Sequence, residues 1–305
     1  MSAAAVDGER ARAVIALAVV GVLWSTAGAL IMAVEWPPVA IWGLRSAIAA
    51  LALGAIVRPS LRGLTGAEWA SAAALAITTG LFILANKWTT PANAILIQYS
   101  APAWAALFAT LLLGERATRL DWFTIGLALI GVRLFFLGQL SLDHVAGNLV
   151  ALAAGVMFAL NVVLLRKIAL GSVRAGGDPR PPGAASPLRA MILGHVIAAV
   201  VAAPWVVTAP ALDGDGWAAM VALGLLQQTA PTVLYALAIR RVTAVEGLLI
   251  PIVEPIVSPL WVWLLFGEEP GAWALVGGAI VVGAVTLRGV APSLAARRAS
   301  RPRAA

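Results

Sequence analysis

No cysteine occurs in this 305-residue chain, which excludes a disulfide scaffold, a thiolate metal site and a cysteine nucleophile together. Histidine is nearly as scarce, with two residues, and tyrosine is held to two as well. Without clustered acidic pairs in its apolar stretches either, the chain has few places for a catalytic metal or nucleophile, so no metal, cofactor or enzymatic activity is expected. Charge is also short: Asp, Glu, Lys and Arg make up 11% of residues, against about 25% in soluble globular domains. Hydrophobic residues reach 61% and the mean hydropathy is +0.94. These values exclude a soluble globular domain and predict an integral membrane protein.

Ten apolar stretches of roughly spanning length are present, at 12–34, 37–57, 67–87, 91–113, 120–138, 145–166, 187–207, 216–239, 245–266 and 270–288. Their length and the need to pair every backbone group in lipid predict helices, not barrel strands, so the fold class is all-α. Lys and Arg then set the orientation. With a cytoplasmic N terminus, 18 of the 21 collect inside, Lys87 alone lies outside, and Arg45 and Arg133 fall within spans. Acidic residues such as Glu35, Asp143, Asp213 and Glu268 gather in the outer loops. This alternation accounts for a pI near 11.1 without a nucleic-acid partner. Trp36, Trp69, Trp88, Trp122, Trp205, Trp217 and Trp273 mark span ends, whereas Trp24, Trp104 and Trp261 sit deeper.

The second half of the chain repeats the first. With a shift of 153, Thr90 falls on Thr243, Asn93 on Glu246, Gln98 on Pro251, Pro102 on Pro255, and Gly114-Glu115 on Gly267-Glu268. The predicted organisation is a cytoplasmic N terminus (1–11), a five-helix repeat (12–138), a second five-helix repeat (145–288), a mobile cytoplasmic loop (168–186) and a disordered basic cytoplasmic tail (289–305). Five spans per unit make the copies inverted, an arrangement suited to alternating access. Pro102 and Pro255 lie near the middle of spans 4 and 9, where proline removes a backbone bond and frees the carbonyls of Gln98 and Pro251. Pro251, Pro255 and Pro259 share one face of span 9. Broken backbone at that depth must face protein or a watery cavity.

Two charges lie deep. Glu254 sits mid-span, at a cost of about 2.5–3.5 kcal/mol on insertion scales unless paired, protonated or wet. It is a candidate proton or substrate-ammonium site, with a structural pairing to Arg45 as the plainer reading. Arg45 is likewise a candidate for a substrate carboxylate. Arg133 is expected to snorkel. Of the neighbours Gln227 and Gln228, only one is expected to face inward, His195 is expected to be core, and Asn93 and Glu246 suit helix capping. Gly131, Gly277 and Gly283 are expected to permit close helix approach.

The paired Gly-Glu endings, the midplane prolines, the glycine-spaced spans 5 and 10, and the run GNLVALAAG from Gly147 to Gly155 resemble the drug/metabolite transporter superfamily in its EamA-type ten-helix form. The resemblance covers about 12–289. Within that superfamily, Leu23-Trp24-Ser25-Thr26 and Gln98-Tyr99 ahead of Pro102 look like the aromatic amino-acid exporters of bacterial inner membranes. Where that subgroup places a tryptophan before the proline, this chain has Ala101, which implies a roomier pocket. The resemblance implies a central cavity lined by spans 1, 3, 4, 6, 8 and 9, with Trp24, Gln98, Tyr99, Pro102, Phe158, Asn161 and Tyr235 near the substrate. The expected partners are a small-molecule substrate and membrane lipid, with oligomeric state open. Amino-acid export is the leading expectation. Proton-coupled multidrug or metabolite efflux is the alternative within transport, and a membrane scaffold or intramembrane enzyme the alternative outside it.

Overall fold

A computed structural model describes residues 3–137, 144–174, 186–257, 261, 264 and 271–299, and among these every regular element is helical. The first half comprises α1 (Ala3–Ser25), α2 (Ala27–Met32), α3 (Pro38–Val57), α4 (Gly66–Trp88), α5 (Pro91–Gln98), α6 (Ala101–Leu113) and α7 (Arg119–Phe135). The second comprises α8 (Val145–Arg174), α9 (Pro187–Val207), α10 (Gly214–Ala222), a π-helical stretch (Leu223–Thr229), α11 (Ala230–Ala238), α12 (Ala244–Leu249), a 3-10 turn (Ile250–Val253) and α13 (Ala272–Ala299).

Among the described residues, seven helical segments are long and apolar enough to cross a membrane: Pro38–Val57, Gly66–Trp88, Asn93–Leu113, Val145–Gly171, Pro187–Val207, Gly214–Ala238 and Ala272–Ala291. The other three expected spans each have a physical peculiarity. The first carries Glu9, Arg10 and Arg12 inside α1 and is interrupted at Thr26, where Ser25 and Thr26 hydroxyls donate back to the carbonyls of Val22 and Leu23. The fifth is α7, only 17 residues long. The ninth breaks at Ile250, and part of it, with Pro259 and Gly267-Glu268, lies outside the described residues.

Two predicted boundaries shift. The chain expected to be loop from 168 is helical to Arg174, and the tail expected to be disordered from 289 is helical to Ala299. The end of the second extension, Leu294 to Ala299, consists of Leu, Ala and Arg, which favour helix, and both helices run through a glycine, Gly171 and Gly289.

Helix starts are held by threonine. Thr65 with Glu68, Thr118 with Asp121, and Thr243 with Glu246 each form a reciprocal capping box, worth about 1 kcal/mol per cap. Each carboxylate is then used a second time. Glu68 pairs with Arg189 at 3.3 Å, Asp121 with Arg288 at 2.6 Å, and Glu246 with both Arg288 at 2.7 Å and Arg10 at 2.5 Å. Arg10, Glu246, Arg288 and Asp121 thereby tie α1, α12, α13 and α7 together through a buried network. Gly114 ends α6 in the left-handed conformation at φ 71°, and Glu115 beyond it binds Arg166 at 3.0 Å, which explains the first Gly-Glu ending.

Lipid gives apolar helices no reason to associate, so close packing and polar contacts must hold the bundle. Small residues supply the first: α7 meets α13 where a Cβ on Gly131 would stand 2.8 Å from the Gly277 carbonyl. Gly283, expected to serve in the same way, faces open space. Elsewhere α4 packs on α8 and α9, α3 on α9, and α1 on α11, around a core that includes Leu17, Val163, Leu165 and Ile239.

Candidate functional site

Both proline breaks occur where the sequence puts them, and they meet. Pro102 has no N–H to offer the Gln98 carbonyl, and the helix opens at Tyr99 and Ser100 between α5 and α6. That carbonyl lies against α8, where only glycine fits: a Cβ on Gly155 would sit 3.0 Å from it. In the second half Pro255 cannot bond the Pro251 carbonyl. Contrary to the expectation that this carbonyl stays free, the Glu254 N–H takes it in the 3-10 manner. From the first break the Tyr99 hydroxyl donates to Glu254 Oε2 at the second, at 2.9 Å.

α1 crosses the second break closely enough that a Cβ on Gly21 would stand 2.7 Å from the Pro251 carbonyl. One turn on, Trp24 lies between Phe158 of α8, edge to face, and Tyr235 of α11, stacked, each with centroids 6.0 Å away. Such pairs contribute about 0.5–1.5 kcal/mol beyond burial. Tyr235 is fully buried and its hydroxyl donates to the Gly247 carbonyl at 2.8 Å, so the aromatic group is anchored to α12 just ahead of the break. Ser25 accepts from the Trp261 indole at 2.9 Å. Trp24, Gln98, Tyr99, Pro102, Phe158, Tyr235 and Glu254 therefore belong to one neighbourhood, built from α1, the α5–α6 break, α8, α11 and the α12 break.

Two candidates stand apart from it. Asn161, one turn beyond Phe158, accepts from the Ser71 hydroxyl of α4 at 2.8 Å, a buried contact that joins two helices. Arg45 reaches Gln227 at 3.3 Å, while Glu254 takes Tyr99, so the considered Arg45–Glu254 pairing is not the partnership formed. Gln227 and Gln228 are both buried, where only one was expected to turn inward. Pro231 is the cause: it would clash with the Gln227 carbonyl in a regular helix, and the π-helical turn widens the backbone there instead. His195 is a core residue bonded to Thr232 at 2.9 Å.

Ser100 was missed by sequence reasoning. Its hydroxyl, beside Tyr99 at the first break, is buried without a hydrogen-bond partner among the described residues, as is Arg45 Nε. Its place two residues ahead of Pro102 was the available signal. An unpaired buried hydroxyl is costly unless something else bonds it. No group of three or more His, Asp or Glu that could hold a metal occurs among the described residues.

Comparison with known proteins fits this arrangement. The chain is 27% identical over 252 residues, 80% of its own length and 83% of the other's, to the uncharacterized protein PA1977 of Pseudomonas aeruginosa. A protein solved by crystallography superposes with a TM-score of 0.75 at 21% identity, covering 95% of this chain and 99% of that one, which establishes likeness of fold alone. The model of the EamA-like transporter family matches twice, over residues 11–137 and 145–289. The chain is a multi-pass membrane protein that belongs to the EamA-like transporter family.

Proposed function

We propose that this transporter exports neutral amino acids, aromatic ones among them, from the cytoplasm across the inner membrane by alternating access. The ten spans would form two inverted five-helix repeats with both termini cytoplasmic, as the Lys and Arg distribution favours. The observation that carries the reading is the contact between the two breaks, Tyr99 to Glu254, beside the aromatic group of Trp24, Phe158 and Tyr235. A zwitterion with an apolar side chain needs a carboxylate for its ammonium group, donors for its carboxylate and a flat apolar wall. Glu254, the Ser100 hydroxyl and the Trp24 group meet those needs in one neighbourhood. Asn161 and Arg45 are assigned support roles, holding α8 to α4 and α3 to the π-helical stretch.

The test is counterflow: proteoliposomes loaded with single unlabelled amino acids take up a labelled one. Uptake driven by several neutral amino acids, and weakened for the aromatic ones in Trp24→Ala, supports the proposal. If no amino acid drives uptake while a hydrophobic cation exchanges against protons, Glu254 serves proton-coupled efflux instead. That second reading is favoured by a single observation, a deep carboxylate whose partner among the described residues is a neutral phenol.

A further inference from the structure

A groove of about 310 Å³ runs between α1 and α11, away from the aromatic site. Its walls are two helical stripes at spacings of three, four and seven. Glu9, Arg12 and Ala16 line it from α1, and Leu234, Leu237 and Arg241 from α11 and the turn after it. The charges share one end: Arg241 pairs with Glu9 at 2.9 Å. The other end is alanine and leucine. Arg12 is exposed and makes no ion pair among the described residues, and Leu237 is 57% exposed at the wall. From Glu9 to Ala16 the helix rises about 10 Å, of which the apolar trough beyond Arg12 takes about 6 Å, the length of the first few methylenes of an acyl chain.

We infer that this groove is a binding site for an anionic phospholipid, its phosphate held by Arg12 and Arg241 and one acyl chain lying along Ala16, Leu234 and Leu237. Three observations favour this occupant. Two guanidiniums face one carboxylate, leaving net positive charge at the head. The small side chain of Ala16 leaves room for a chain, and the exposed Leu237 gives the groove an open apolar wall that suits an acyl chain. Glu9 competes with the phosphate for Arg241. The leaflet, cytoplasmic, follows from the orientation proposed above; binding itself does not depend on that orientation or on the transported substrate.

Native mass spectrometry of the full chain in detergent tests this, with phosphatidylglycerol and phosphatidylcholine of identical acyl chains and with inorganic phosphate as separate probes. Phosphatidylglycerol should be retained about fivefold better than phosphatidylcholine, and Arg12→Ala should remove that preference, each basic residue at a membrane surface contributing about that factor. Ala16→Leu, which fills the trough without changing charge, should weaken both lipids. Glu9→Gln should strengthen phosphatidylglycerol by releasing Arg241, a gain that misfolding cannot imitate. Equal retention of the two lipids by the unaltered protein, or a preference unmoved in both Arg12→Ala and Glu9→Gln, overturns the assignment. Inorganic phosphate bound as well as phosphatidylglycerol does so too, since the trough would then be idle.

Discussion

Replacing Glu254 with glutamine is the most direct probe of the proposed site, because it removes a charge and little else. The carboxamide oxygen can still accept from the Tyr99 hydroxyl, now 2.9 Å away, so the two breaks stay joined. What disappears is a charge-assisted bond to a substrate ammonium group, worth about 1.5–3 kcal/mol. Affinity should fall about 10- to 150-fold. Tyr99→Phe leaves the carboxylate and its charge and takes away only a hydrogen bond within the protein, so it should change affinity less than Glu254→Gln does. The assay is counterflow in proteoliposomes, with the concentration for half-maximal uptake measured for both variants. A Glu254→Gln value within twofold of the unaltered protein would refute the ammonium assignment. An equal loss in the two variants would also count against it, since that would place the effect in the hydrogen bond and not in the charge.

Arg288→Ala should destabilise the fold by about 3–5 kcal/mol, because it strands the buried Asp121 carboxylate and leaves Glu246 with Arg10 alone; unfolding in mixed micelles would show it. In the same assay Asp121→Asn combined with Arg288→Met should cost less than Arg288→Ala, since no uncompensated charge stays at that pair. Gly155→Val should abolish uptake or folding, its side chain having to displace the Gln98 backbone, whereas Gly283→Val, at an open position, should leave the melting temperature nearly unchanged. Trp24→Ala should lower the apparent affinity for aromatic substrates at least tenfold while sparing small ones less selectively bound, as competition by alanine against phenylalanine in counterflow would reveal.

Much of the arrangement could be read from residue types whose effect is local. Prolines act on the carbonyl four residues back, so Pro102 and Pro255 mark positions where a backbone bond is missing, although Pro204 sits inside the unbroken α9. Thr90 and Thr243, aligned by the repeat, both cap helices by accepting from the N–H three residues on. What escaped depends on neighbours distant in sequence. Nothing near Arg45 specifies Gln227, 182 positions away, as its partner, and whether Ser100 finds a partner among the described residues depends on what surrounds it. The π-helical stretch needed both a proline and a neighbour: Pro231 opens the backbone, and Gly224 accepts the close approach of Ile48 from α3.

The segment from Ile250 to Pro255 has a further consequence. Two of its six residues lack an amide hydrogen, so two of the backbone bonds of a regular α-helix are missing from it in any conformation. Its bend is written into covalent structure and need not be created when a ligand arrives. On the proposed reading, a substrate meeting Glu254 would be spared the ordering cost that a flexible loop would exact.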